Sequence, residues 1–362
     1  MNPLDHLHPE SRAVAEKAKE LFDNDIRFKF ERLIPNAHNG VAMIVREQLG
    51  YGRERKLVVK IGTHSTRDSV QNERKWLNRL QWAEHTSNTV HLNNNPLDKI
   101  GEPYFVVEYL QHGTLDQFQT RIIYSGQILP NSILWAIFLC LVRGCIGMAW
   151  PPKAPPVWLE RTQSEEPSRL AHADLHDENV VFGVLNSAQL VYAEDTVYLQ
   201  EHHLIPPLKL IDFGEAYEKK IPDPIGLDSP LASYDGKLNL AAYRSTGRVN
   251  PATQKNILDV GVNMAKLIAR QRQGSSKPCR EWMQDPNVHP WLDPDLRLLV
   301  QRCLAIEPAN RPTLDEFMML IDNNVFSRTG AYYGDAGKPG GFESDDTIRY
   351  IVSRHILDAD TP

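Results

Sequence analysis

Two short stretches constrain this chain more than any other feature. The first is His172-Ala173-Asp174-Leu175-His176-Asp177-Glu178-Asn179, which sets a carboxylate five positions before a carboxamide. The second is Leu210-Ile211-Asp212-Phe213-Gly214, an apolar strand-like run that ends in a carboxylate on an Asp-Phe-Gly turn. Taken singly, each has an ordinary explanation: an Asp-capped turn in one case, a strand end in the other. Together and in this order they put three oxygen-bearing side chains, Asp174, Asn179 and Asp212, on two tight turns.

The pair resembles the catalytic loop and the metal-binding turn of eukaryotic-type protein kinases. That resemblance implies ATP and Mg²⁺ as cofactors. Asp174 would accept or orient the substrate hydroxyl, Asn179 would hold one Mg²⁺, and Asp212 would chelate the metal that bridges the phosphates. Phosphoryl transfer asks little covalent help of a protein. It asks for alignment of nucleotide and hydroxyl and for neutralised charge.

Four further segments fall in the order such a domain requires, over roughly Phe28 to Asp322. Leu57-Val58-Val59-Lys60-Ile61 reads as a short apolar strand, similar to the strand whose lysine neutralises the α- and β-phosphates in that family. Val70 to Leu77 has helical spacing, and Glu73 stands where the family's lysine-pairing glutamate would sit. On composition alone Lys60 and Glu73 would be surface charges. Tyr104 to Glu108 is a β-rich run leading into a Gly-containing link and a helix start. It resembles the hinge between two lobes, with Val107 as gatekeeper. Glu108 and Leu110 would then meet the adenine edge through their backbones, with Val58 above the base and Val181 below. Finally, Arg302 to Thr313 resembles a late helix–loop–helix signature that presents an arginine, here Arg311. Aminoglycoside and choline kinases share the H-x-D-L-H-x-x-N loop but usually lack this ending.

The resemblance implies an α+β, bilobal protein kinase-like fold with a small β-rich N-lobe and a larger, mostly helical C-lobe. The expected organisation is an N-terminal helical extension over residues 1–27, an N-lobe over 28–108, a C-lobe over 109–325 and a C-terminal tail over 326–362. Ser11 to Phe22 reads as an amphipathic helix, packed or loosely attached. Insertions are expected near 151–168, which is Pro- and Glu-containing, and near 183–207, where Val191 to Leu199 looks strand-like. Both lie on loops, where specificity commonly resides. The tail after Asn324 is Gly-rich and reads as flexible, with one short docking helix over Thr347 to Leu357.

Composition sets bounds. Hydrophobic content of 41% and charged content of 24% are those of a soluble globular chain. A net charge of −6 gives no basic footprint for nucleic acid. The four cysteines, Cys140, Cys145, Cys279 and Cys303, form no C-x-x-C pair and read as free thiols of a reducing compartment. His6, His8, Glu10 and Arg12 interrupt any apolar leader at the N-terminus. Ile133 to Trp150 is apolar, but Pro130-Asn131-Ser132 starts it as a buried helix rather than a membrane span. The expectation is a cytoplasmic protein, nuclear as an option, without membrane or nucleic-acid partners.

Departures from the family pattern matter as much. Between Leu33 and Val45 only Gly40 is present to let backbone N–H groups approach phosphates. The arginine that usually precedes the catalytic aspartate is Ala173, which disfavours regulation through a phosphorylated loop. The lysine usual two residues after that aspartate is His176. Arg244 falls where a glutamate should face Arg311. Asn256 falls where an aspartate should brace the catalytic loop, unless Asp259 fills that role by a shifted alignment. Three readings therefore stay open: a protein kinase acting on Ser or Thr, a pseudokinase or regulatory binding module, and a small-molecule phosphotransferase.

Overall fold

Strand alternation along Leu57-Val58-Val59-Lys60-Ile61 organises the first part of the molecule. Leu57, Val59 and Ile61 turn into an apolar core, so Val58 and Lys60 share the opposite face. The structure, a computed structural model, describes residues 7–35, 40–153, 155, 159–185, 202, 204–218, 250–335 and 341–359. Within these the fold is α+β. The chain divides into two compact units, one made of Met1–Gln81, Ser87–Tyr109 and Asp212–Ala216, the other of Trp82–Thr86, Leu110–Ile211 and Tyr217–Pro362.

The first unit is built on an antiparallel sheet of β1 (Phe28–Leu33), β2 (Val41–Gly50), β3 (Arg53–Ile61) and β4 (Tyr104–Glu108), hydrogen-bonded in that order. Helix α1 (Pro9–Asp23) buries Ala15, Ala18 and Phe22 in the same core as Phe28, Met43, Val59 and Val106. The N-terminal helix is therefore packed rather than loosely attached. Helix α2 (Arg67–Leu80) buries Val70, Trp76 and Leu77, and also the carboxyl-bearing Glu73.

The second unit is mostly helical. Helix α3 (Leu115–Ser125) opens on a reciprocal cap between Thr114 and Gln117 and stops at Gly126 in a left-handed conformation. Helix α4 (Asn131–Ala149) is apolar and long enough to cross a membrane by length and composition, yet every residue of it except Ser132 is buried within the protein. Beyond it lie two short antiparallel pairs, β5 (Leu170–Ala171) with β8 (Tyr217–Glu218) and β6 (Val180–Phe182) with β7 (Leu208–Leu210). Helices α5 (Pro251–Ala269), α6 (Ser276–Gln284), α7 (Pro294–Cys303) and α8 (Leu314–Ser327) complete the body. Helix α9 (Asp345–Val352) runs on into a π-helical turn over Ser353–Leu357.

The tail departs from its flexible reading. Ile348, Ile351, Val352 and Ile356 are buried, and the Glu343 carboxylate is buried against the start of α4. Glycine count misled because apolar side chains at helical spacing outweigh the local entropy of Gly330, Gly334 and Gly341. Two expectations lie outside the described residues: the strand-like run Val191 to Leu199 and the position of Arg244. Arg311 donates to the carbonyls of Ala305, Gln254 and Ile306.

Candidate active site

In the first unit three expected residues meet. Lys60 sits on β3 between Ala42 and Phe105 of the neighbouring strands, and α2 presents Glu73 to it. Lys60 Nζ lies 2.5 Å from Glu73 Oε2 and 3.2 Å from Asp212 Oδ1. Burial pushes the ammonium down, but Glu73 and Asp212 outweigh it and leave the pKa above the ordinary lysine value. Burial raises Glu73 to about 7 against the opposing pull of Lys60. The pair titrates as a unit, and its contact is that of a charge-assisted ammonium–carboxylate bond.

Asp212 adopts a left-handed backbone, φ 58°, a conformation that costs a non-glycine residue energy and clusters at functional turns. Its carboxylate accepts the Gly214 N–H at 3.3 Å, which fixes the turn. Two residues of α2 that sequence reasoning passed over secure the backbone on the far side of this turn. Asn72 Nδ2 donates to the carbonyls of Gly214 and Ala216, and Trp76 Nε1 donates to that of Ala216. Their i, i+4 spacing beside Glu73 is the signal that identifies them in retrospect.

The remaining expected residues of this unit lie on the sheet and its entry loop. Val58 is half-buried and pairs in register with Val107. Glu108 ends β4, where its N–H donates to the Asn88 carbonyl. Gly40 has a backbone reason of its own: its φ is 121°, and a Cβ there would stand 2.5 Å from the Ile61 carbonyl oxygen.

In the second unit the loop after β5 is held from beneath by α5. Asn256 Oδ1 accepts the His172 N–H, and Asn256 Nδ2 donates to the Leu170 carbonyl, both at 3.0 Å. Asn263 Nδ2 donates to the Leu175 carbonyl, and Lys266 pairs with Asp177. Ala173 takes a left-handed backbone, φ 68°, which turns the exposed Asp174 outward from this support. Asn179 Nδ2 donates to the Asp174 carbonyl at 2.9 Å and reaches Asp174 Oδ2 at 3.2 Å. His176 Nε2 stands 3.5 Å from Asp174 Oδ2; this contact holds Asp174 below the usual carboxylate range and raises His176. Leu110 is half-buried, and Val181 is buried on β6 opposite Lys209. Asp259 pairs with Lys255, and Asn256 is the one of the two that bonds the His172 and Leu170 backbone.

The Asp212 carboxylate of the first unit and the Asn179 carboxamide of the second are each of an oxygen-donor type that a hard cation takes. No protein-family model matches the chain, and no curated protein matches it.

Proposed function

We propose that the chain is an ATP-dependent protein kinase that transfers the γ-phosphoryl of Mg·ATP to a Ser or Thr hydroxyl of a protein. The observation that carries this reading is the Lys60–Glu73–Asp212 cluster, with Lys60 and Glu73 buried and Asp212 half-buried. A buried ion pair contributes little to net stability, so three converging charges on a strand, a helix and a strained turn favour a functional role.

Lys60, oriented by Glu73, would neutralise the α- and β-phosphates. Asp212 and Asn179 would hold Mg²⁺, which supplies charge neutralisation at the transferring group. Asp174, kept ionised, would accept the hydroxyl proton as the substrate oxygen bonds to the γ-phosphorus and the bond to the β–γ bridging oxygen breaks. His176, raised by Asp174, would return part of the positive charge that a lysine supplies at that position.

A regulatory nucleotide-binding module is the second reading. It is favoured by Gly40, whose close approach to Ile61 accounts for the glycine without phosphate. Incubation with γ-labelled Mg·ATP and a mixed protein substrate separates the two. A kinase labels protein, and Lys60→Met or Asp174→Asn lowers the labelling by about 10²-fold or more. Nucleotide binding without labelling by the unsubstituted chain rejects the kinase reading.

A further inference from the structure

Away from the Asp174 loop, the second unit buries an unusual polar group beside α4. His85, Cys140, Glu160 and His202 are all buried, although they come from four separate segments. One ligating nitrogen from each histidine and the Cys140 Sγ lie within 4.8 Å of one another. His85 Nε2 stands 3.3 Å from His202 Nε2, and Cys140 Sγ stands 4.0 Å from His202 Nδ1. Glu160 closes the arrangement from behind: Oε2 is 2.8 Å from His85 Nδ1, and Oε1 accepts the His85 backbone N–H at 2.7 Å.

We propose that His85, Cys140 and His202 form a buried structural zinc(II) site in which Glu160 orients His85, fastening both inserted segments to helix α4. Imidazole and thiolate are both ligand types that zinc takes. With Zn–N near 2.0–2.1 Å, two nitrogens on a tetrahedral ion stand about 3.3 Å apart, which matches the separation of the two Nε2 atoms. A carboxylate on the far nitrogen of a ligating histidine fixes the tautomer and leaves the near lone pair for the metal.

The competing arrangement is a proton-mediated chain from the Cys140 thiol through His202 and His85 to Glu160. Its inner links, at 4.0 and 3.3 Å, lie at or beyond the range of good hydrogen bonds. The placement also gives the two insertions a purpose: Glu160 belongs to 151–168 and His202 to 183–207, while Cys140 anchors both to the core helix. Arg143, one turn along α4, donates to the Glu160 carbonyl and holds that insertion in place.

Elemental analysis of the untagged full chain, purified without chelator, tests the site before any substitution is made. One equivalent of zinc per chain is expected. Replacement by Co(II) should give a thiolate-to-cobalt charge-transfer band in the near ultraviolet together with intense tetrahedral d–d bands. Cys140→Ser should abolish the charge-transfer band, and His202→Gln should lower the metal content at least tenfold. Failure of the unsubstituted protein to hold any stoichiometric metal overturns the proposal. So does cobalt binding without a thiolate band, which needs no folded variant to read.

Discussion

Asn256 Oδ1 accepts the backbone N–H of His172 at 3.0 Å while its Nδ2 donates to the Leu170 carbonyl at the same distance. One carboxamide thus satisfies both a donor and an acceptor of the loop that carries Asp174. The kinase resemblance would place an aspartate here, yet a carboxylate could make only the first bond and would face the Leu170 carbonyl with like charge. Asn256→Asp should therefore destabilise the fold by about 2 kcal/mol, and Asn256→Ala by a similar or larger amount, through unpaired buried groups. Urea unfolding checks the pair. An aspartate variant as stable as the parent would show that the donor bond is dispensable.

Ala173 inverts the usual order of substitutions. At φ 68° a Cβ costs about 1–2 kcal/mol, more than the roughly 0.5–1 kcal/mol of backbone entropy that glycine loses. Ala173→Gly should raise the unfolding midpoint slightly, and Ala173→Val should lower stability by about 2 kcal/mol. A destabilising glycine would contradict the left-handed assignment.

Glu343 caps α4 from a distant point in the chain. The helix has Pro130 at its N-cap position and no side-chain cap there, and Glu343 accepts instead from the N–H groups of Asn131 and Ser132 and from the Ser132 hydroxyl. A carboxylate at that end also complements the helix dipole. Glu343→Ala should cost about 3 kcal/mol, and Glu343→Gln about half as much. Equal stability of all three forms in urea would remove the tail from the folded core.

His355 gives the tail a pH dependence. It is buried, and burial first, then Arg354 and Arg121, holds its pKa below the ordinary 6.5. A base depressed in the folded state is more readily protonated when unfolded. Its contribution is complete above about pH 6.5 and is lost as pH falls below that value. His355→Gln should shrink the loss of melting temperature between pH 7.5 and 5.5. An unchanged loss would place the titration elsewhere.

Much of this was legible in the sequence. The apolar run at Leu57 to Ile61 and helical spacing at Val70 to Leu77 located the strand of Lys60 and the helix of Glu73, while their pairing was implied by the kinase resemblance. The Asp-Phe-Gly turn was equally local. The His85, Cys140 and His202 group was not, since its members are separated by more than fifty residues each and share no motif. Nor was the tail: its packing depends on Glu343 reaching Asn131, a contact that no local pattern announces.

The central claim is a Mg²⁺–nucleotide site that depends on Asp212. The most direct measurement is the melting temperature of the full chain with ATP alone, with ATP and Mg²⁺, and with both in Asp212→Asn. The account predicts a rise that requires Mg²⁺ and disappears in the variant. No rise, or one indifferent to both metal and Asp212, would contradict it.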